Sequence, residues 1–161
     1  MEKPIPISTD LQVEFDYHES GNLIRCNRKN IKFSGTLLDT GYVVVGFNKN
    51  SYLLHKLIYC YHTGDWPEFI DHIDQDKSNN KIENLRPATI SHNGANRSIM
   101  TTNTSGYKGV SFHKAGKKWR ASIKARHIGS FNTKEEAALA YNEKALEEYG
   151  EYASLNIIES M

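Results

Sequence analysis

Between Asp71 and Arg97 the chain reads DHIDQDKSNNKIENLRPATISHNGANR, a run too polar to be core and too dense in Asp, Asn and His to be a casual loop. Such residues can hydrolyse a phosphodiester. That reaction needs a base to activate water and a cation to stabilise charge growing on the phosphate and leaving oxygen. It also needs a group that holds the base in orientation. Asp71 and His72 are adjacent, Asn84 follows, and Asn93 lies beyond Thr89, a residue type that caps helices. Carboxylate and amide oxygens are hard ligands suited to Mg²⁺ or Mn²⁺, with positions left for water and phosphate. A neutral histidine near pH 7 can accept a proton from water if its other nitrogen is held.

The same residues have plainer readings. Asp74, Asp76, Asn79 and Asn80 are expected to shape a tight loop through side-chain to backbone bonds rather than to bind metal. DQDKSNNKIENL lacks the sixth-position glycine of a calcium hand. His55, Cys60, His62 and His92 could in principle form a mixed zinc site, but no closely spaced pair faces a second such pair, so no structural zinc is expected.

This stretch resembles the HNH endonucleases, and within them the homing type of phages and introns. The resemblance implies a ββα-metal core over about residues 53–97, inside a nuclease domain of residues 1–97. A first strand would end in Asp71 and His72, and a second would carry ENLR. A helix capped by Thr89 would bear His92, Asn93 and Asn96. It implies that Asp71 and Asn93 ligate one divalent cation, with Asn96 as an alternative ligand one helical turn on. His72 would be the general base, and Asn84 would hold its imidazole by backbone or side chain. His55, in LLHKLI, matches a histidine that the homing family commonly carries, and is expected to pack beneath the site.

The elements that must position these groups can be read in outline. From Val13 to Leu57 turn signals (SGN, DTG, NKN) separate short strand-like runs, which predicts a small antiparallel sheet leading into a helix near Leu54 to Tyr61. Residues 98–104 are small, polar and aperiodic, a linker. Beyond it GYKGVSF, KKWRASIKA and HIGSF predict a three-stranded meander, and Thr133 with Glu136 a capping box that opens a helix ending at Gly150. Ala138, Tyr141, Ala145 and Tyr149 form its buried stripe. The fold class expected is α+β in two modules.

Charge is uneven along the chain. The formal net charge is +1, yet from Gly106 to Arg126 there are seven basic residues and no acidic one, the footprint of a polyanion binder. The acids of this module lie in or after its helix, so its two faces are expected to carry opposite charge.

Residues 105–156 resemble the Apetala-two or ethylene-response-factor domain, through YKGV, the Trp119 to Ile123 strand, IGSFNTKEEAALAYN and the closing Leu155 and Asn156. That family lays its sheet in the major groove of double-stranded DNA. The resemblance places Lys108, Ser111, Arg120, Lys124, Arg126 and His127 at contact positions. Ser111 and His127 depart from the usual arginine and tryptophan, so the family's base preference does not transfer. Arg120 suits bidentate guanine contact, and Lys117 and Lys118 suit phosphate anchoring.

The combined expectation is a site-directed DNA endonuclease that nicks as a monomer, in the cytoplasm of its host cell. The alternatives are a DNA-binding regulator with an inactive nuclease fold, and an RNA-directed protein. No run is long and apolar enough to span a membrane, and the first residues lack a secretory core.

Overall fold

The computed structural model describes residues 4–26 and 33–158, so the first three residues of the MEKPIPISTD segment lie outside it. By internal contacts the chain divides into two units, Met1–Ile90 and Ser91–Met161.

In the first unit a short helix, α1 (Ser8–Glu14), runs directly into strand β1 (Phe15–His18). β1 pairs antiparallel with β2 (Asn22–Arg25), and β2 with β3 (Phe33–Ser34). A second sheet holds β4 (Thr36–Leu37), β5 (Val43–Phe47) and β6 (Asn50–Leu53) in that order. Asn48 and Lys49 both have positive φ, the geometry of a two-residue hairpin turn whose twist matches its strands. The sequence thus forms two small sheets where one was expected, and α1 was not foreseen because its only buried residue is Leu11.

Helix α2 (Leu54–Thr63) buries Leu54, His55, Leu57, Ile58 and Cys60, and ends at Gly64, left-handed at φ 79, whose N–H reaches Cys60 O. Its apolar face joins Phe15, Leu23, Val45 and Phe47 in one core, which also takes in Ile70 and Leu85. Those two belong to a two-stranded ribbon, β7 (Phe69–His72) and β8 (Leu85–Ala88), in which Asp71 faces Arg86 and His72 faces Leu85. Glu83 and Asn84, expected on the second strand, instead lie in a 3-10 turn (Ile82–Asn84) just before it.

The second unit contains nearly all of α3 (Ile90–Ala95), then β9 (Val110–His113), β10 (Lys118–Ile123), β11 (Arg126–Phe131), α4 (Lys134–Tyr149) and a closing 3-10 turn (Gly150–Tyr152). The meander has the order β11-β10-β9, and α4 covers one face. Val110, Ala121 and Ile123 meet Ala137, Ala138, Tyr141 and Ala145 in its core. Both halves of the Thr133 and Glu136 capping box are formed. The division falls at the start of α3 rather than in residues 98–104, because α3 is fastened to its own unit. The Lys108 ammonium donates to Ala95 O, and the His92 ring stacks on Tyr152 at 4.0 Å.

Candidate active site

Strand β7 ends in Asp71 and His72, the pair singled out in the sequence. Alternation along a strand bordered by core would leave one of them in water, but a loop folds over the strand end, and Asp71 and His72 are only 7% and 5% exposed. Arg86, across the ribbon, donates to Asp71 Oδ2 through Nε at 3.0 Å and Nη2 at 2.8 Å. This two-pronged bond fixes the carboxylate rotamer and supplies the counter-charge that a buried carboxylate requires.

The loop from Asp74 to Asn84 is built from its own amides and acids. Asp74 accepts from Asp76 N–H at 2.8 Å, from Asn79 Nδ2 at 2.6 Å and from Asn84 Nδ2 at 2.8 Å. Burial works to raise the Asp74 pKa, but the bonds from Asn79, Asn84 and Asp76 outweigh it and leave the carboxyl below its ordinary value. Asn84 also accepts from Asp74 N–H at 3.0 Å and donates to Asn79 O at 2.8 Å. Its side chain therefore pins the loop, and its backbone carbonyl accepts from Ile73 N–H.

Against the His72 ring lies Asn80, expected only to shape the loop. It is 1% exposed, and its Oδ1 is 3.1 Å from His72 Nε2 while its Nδ2 donates to Ser78 O at 3.0 Å. With the amide so oriented, its oxygen is presented to Nε2 as an acceptor. The N-terminal hairpin backs this loop. Gly21, at φ 77, lets its turn approach so closely that a Cβ there would lie 2.4 Å from Lys81 N and 2.6 Å from the Asn80 carbonyl carbon, while Tyr17 Oη accepts from Ile82 N–H at 3.2 Å. These N-terminal strands thus pack against the backbone of Asn80 and Lys81.

His55 packs beside His72 as expected, edge to face with ring centroids 5.0 Å apart, and Tyr42 lies 5.4 Å from it. Its Nδ1 is buried without a hydrogen-bond partner. Burial, with the neighbouring His72 and Lys56, pushes its pKa down to about 3, so it is neutral at physiological pH. The folded value lies below the unfolded one, so its contribution to stability is full above about pH 6.5 and is lost as pH falls toward about 3. Urea midpoints of the native protein are expected to drop between pH 6.5 and 4.5, by up to about 1.4 kcal/mol per pH unit from this group. His55→Gln is expected to flatten that part of the curve; two parallel curves would remove His55 as the cause.

In the second unit Asn93 lies on α3 with its Oδ1 buried and unpartnered. Asn96 follows the helix and is buried, with its N–H on His92 O at 3.0 Å. Among the described residues no three His, Cys, Asp or Glu cluster as a metal cage.

The expected contact residues of the meander fall into three groups. Ser111, Lys118, Arg120 and His127 are exposed, and Arg120 lies opposite Ser111 and Ser130 in register, while Ser122 lies opposite His127. On β10 the alternation puts Trp119, Ala121 and Ile123 against α4 and leaves Lys118, Arg120 and Ser122 on the other face. Lys117, exposed at φ 47, occupies the preceding turn. Lys124 and Arg126 instead reach Glu148 of α4 at 2.8 and 2.7 Å. The faces are therefore not cleanly divided by charge: the second turn bends these two bases around the sheet edge to an acid on the helix. Lys108 donates from Nζ to Arg97 O at 2.6 Å as well as to Ala95 O, so its ammonium caps the end of α3.

A buried Asp-His pair thus closes a strand ribbon and is backed by an asparagine-rich loop. The family model for HNH endonuclease matches residues 52–95, from the end of β6 through α3. A protein named as an uncharacterized HNH endonuclease, from Acanthamoeba polyphaga mimivirus, is 33% identical over 135 residues, covering 80% of this chain and 69% of the relative. Protein 3.8 of Escherichia phage T7 is 40% identical over 57 residues, 35% of this chain and 47% of the relative. No solved structure matches significantly. The chain belongs to the HNH endonuclease family. No described helix is long and apolar enough to cross a membrane.

Proposed function

We propose that the protein is a DNA endonuclease that nicks its substrate with one divalent cation and His72 as general base. The observation that carries this reading is the Asn80 bond to His72 Nε2. In this reading Asn80 accepts a hydrogen carried on Nε2 and Nδ1 serves as the base, on a strand whose preceding residue is a buried carboxylate. In the cleavage step His72 Nδ1 takes a proton from water, the water oxygen attacks phosphorus in line, and the 3′ oxygen leaves. Asn80 holds the imidazole as it becomes cationic. Asn84 acts on the base indirectly, by fixing the loop that presents Asn80.

Asp71 and Asn93 are the proposed ligands of the cation, Mg²⁺ or Mn²⁺, which HNH nucleases generally require. The donors fit a hard ion. The buried, unpartnered Oδ1 of Asn93 is an amide oxygen whose desolvation a cation would offset, and Asp71 supplies charge. The bound ion would stabilise negative charge on the phosphate and leaving oxygen. Asn93 is preferred to Asn96 because its Oδ1 is buried without a partner.

The second module is proposed to resemble an Apetala-two domain that reads double-stranded DNA through the exposed strand face centred on Arg120. Arg120→Ala is expected to weaken specific binding by about 1–3 kcal/mol and to relax preference at one base pair. Equal loss across all sequences, measured by titrating randomised duplexes, would make Arg120 a phosphate contact instead. Purified protein should convert supercoiled plasmid to open circles with Mg²⁺ or Mn²⁺ and not with chelator. Binding without cleavage under both metals would favour a regulator with an inactive nuclease fold. One proposed base and cation site per chain favours a nicking monomer of the homing type.

A further inference from the structure

α3 has six residues from Ile90 to Ala95, too few to be stable by its own hydrogen bonds. Two fastenings hold it. Its C-terminal end is met by the Lys108 ammonium, which donates to Ala95 O and, at 2.6 Å, to Arg97 O. Its exposed turn is met by Tyr152, whose ring stacks on His92 at 4.0 Å and 14°. Lys108 is itself held from the far end of the module. Asn156 Oδ1 accepts from Lys108 N–H at 2.6 Å and Asn156 Nδ2 donates to Lys108 O at 3.1 Å. Asn142 of α4 exchanges two bonds with the Asn156 backbone, at 2.9 and 2.8 Å.

We propose that Lys108 and Tyr152 are positioning residues for Asn93: the C-terminal module fastens the helix that presents the metal ligand. Asn93 lies between the two fastened points, one residue after His92 and two before Ala95. Its amide can neither rotate with a freely turning helix nor shift along the axis without breaking a charge-assisted bond or a ring stack. Burial of the ammonium and the nearby Arg97 lower the Lys108 pKa, which accords with an ammonium turned inward to carbonyls. The proposal rests on Asn93 being a ligand of the cation. It also reassigns Lys108, which a sequence reading places among the DNA contacts.

The test uses full-length protein with Lys108→Met, Tyr152→Ala, Tyr152→Phe and Asn93→Ala. Three quantities are read: the Mn²⁺ dissociation constant without DNA, duplex affinity and its salt slope in chelator, and Mn²⁺-dependent nicking. Lys108→Met and Tyr152→Ala are expected to weaken Mn²⁺ binding about 10-fold, with a matching rise in the Mn²⁺ needed for half-maximal nicking. Metal-free duplex affinity should change less than about twofold, and Tyr152→Phe, which keeps the stack, should behave as the native protein. Lys108→Met that leaves Mn²⁺ affinity intact but weakens duplex binding and lowers the salt slope would overturn the proposal in favour of a phosphate contact. Parallel loss of Mn²⁺ and DNA binding together with thermal stability would overturn it in favour of a purely structural role. Asn93→Ala separates the two levels. If it leaves Mn²⁺ binding and nicking intact, the ligand assignment fails; if it abolishes them while Lys108→Met and Tyr152→Ala do nothing, only the positioning role fails.

Discussion

His72→Ala is expected to lower metal-dependent nicking about 10³-fold while leaving duplex affinity within about twofold. The size follows from what a positioned general base contributes, roughly 10² to 10⁴ in rate. The selectivity follows from place. His72 is 5% exposed at the end of β7, with the Asn80 amide and the His55 ring around it, while the exposed basic residues of the meander belong to the other unit. Alanine removes the ring that faces Asn80 Oδ1, so some loss of stability accompanies the loss of rate. Asn80→Asp is the instructive companion. A carboxylate at that position would still accept from Nε2, but it would favour the charged imidazolium and shift the acidic limb of the pH–rate profile upward. If His72→Ala retained more than about a tenth of native nicking, with contaminating nuclease excluded by the chelator control, the base would have to be sought elsewhere.

Gly109→Ala is expected to cost the C-terminal module about 3 kcal/mol or more. Two causes add. The residue has φ 73, a left-handed conformation that an L side chain adopts at a penalty. A Cβ there would also lie 2.1 Å from the Tyr141 ring and 2.7 Å from Ser122 O. Tyr141 is 4% exposed in the core beneath the sheet, so it has no room to retreat, and Ser122 O belongs to the central strand backbone. Circular dichroism melts should show the module unfolding early, with duplex binding lost in parallel. Gly94→Ala serves as control, since a Cβ at that position meets nothing within 4 Å. Equal melting of native and Gly109→Ala protein would refute this account of the close approach.

Both predictions concern residues that the sequence singles out, but for reasons of different kind. The YKGV marker includes Gly109 without saying what demands glycine; the demand comes from a tyrosine on α4 and a carbonyl on β10, each distant in sequence. The closing Asn156 is likewise a marker in the sequence, and only the fold reveals it as the clamp on the Lys108 backbone, far away along the chain.

The candidate site divides in the same way. Asp71, His72 and Asn84 are legible from residue type and spacing, and strand β7 ends where the sequence said it would. Asn80 was taken for a loop former because one asparagine among several in DKSNNK has no local feature that marks it. Arg86 stood in ENLR without a stated role and Tyr42 carried no signal, since their relation to Asp71, His55 and His72 exists only across a strand pair and between separate elements.

What the sequence determined by itself is local. Its two-residue and helical periodicities placed the meander and α4, and the Thr133 and Glu136 pair opened that helix. These depend on neighbours a few residues away, and burial and hydrogen bonding at that range are set by pattern. The tertiary structure decided which nitrogen of His72 faces Asn80, which bases of the meander pair with Glu148, and that Lys108 turns to α3. Each of those outcomes is a competition between partners distant in the chain, and only folded distances determine which partner wins.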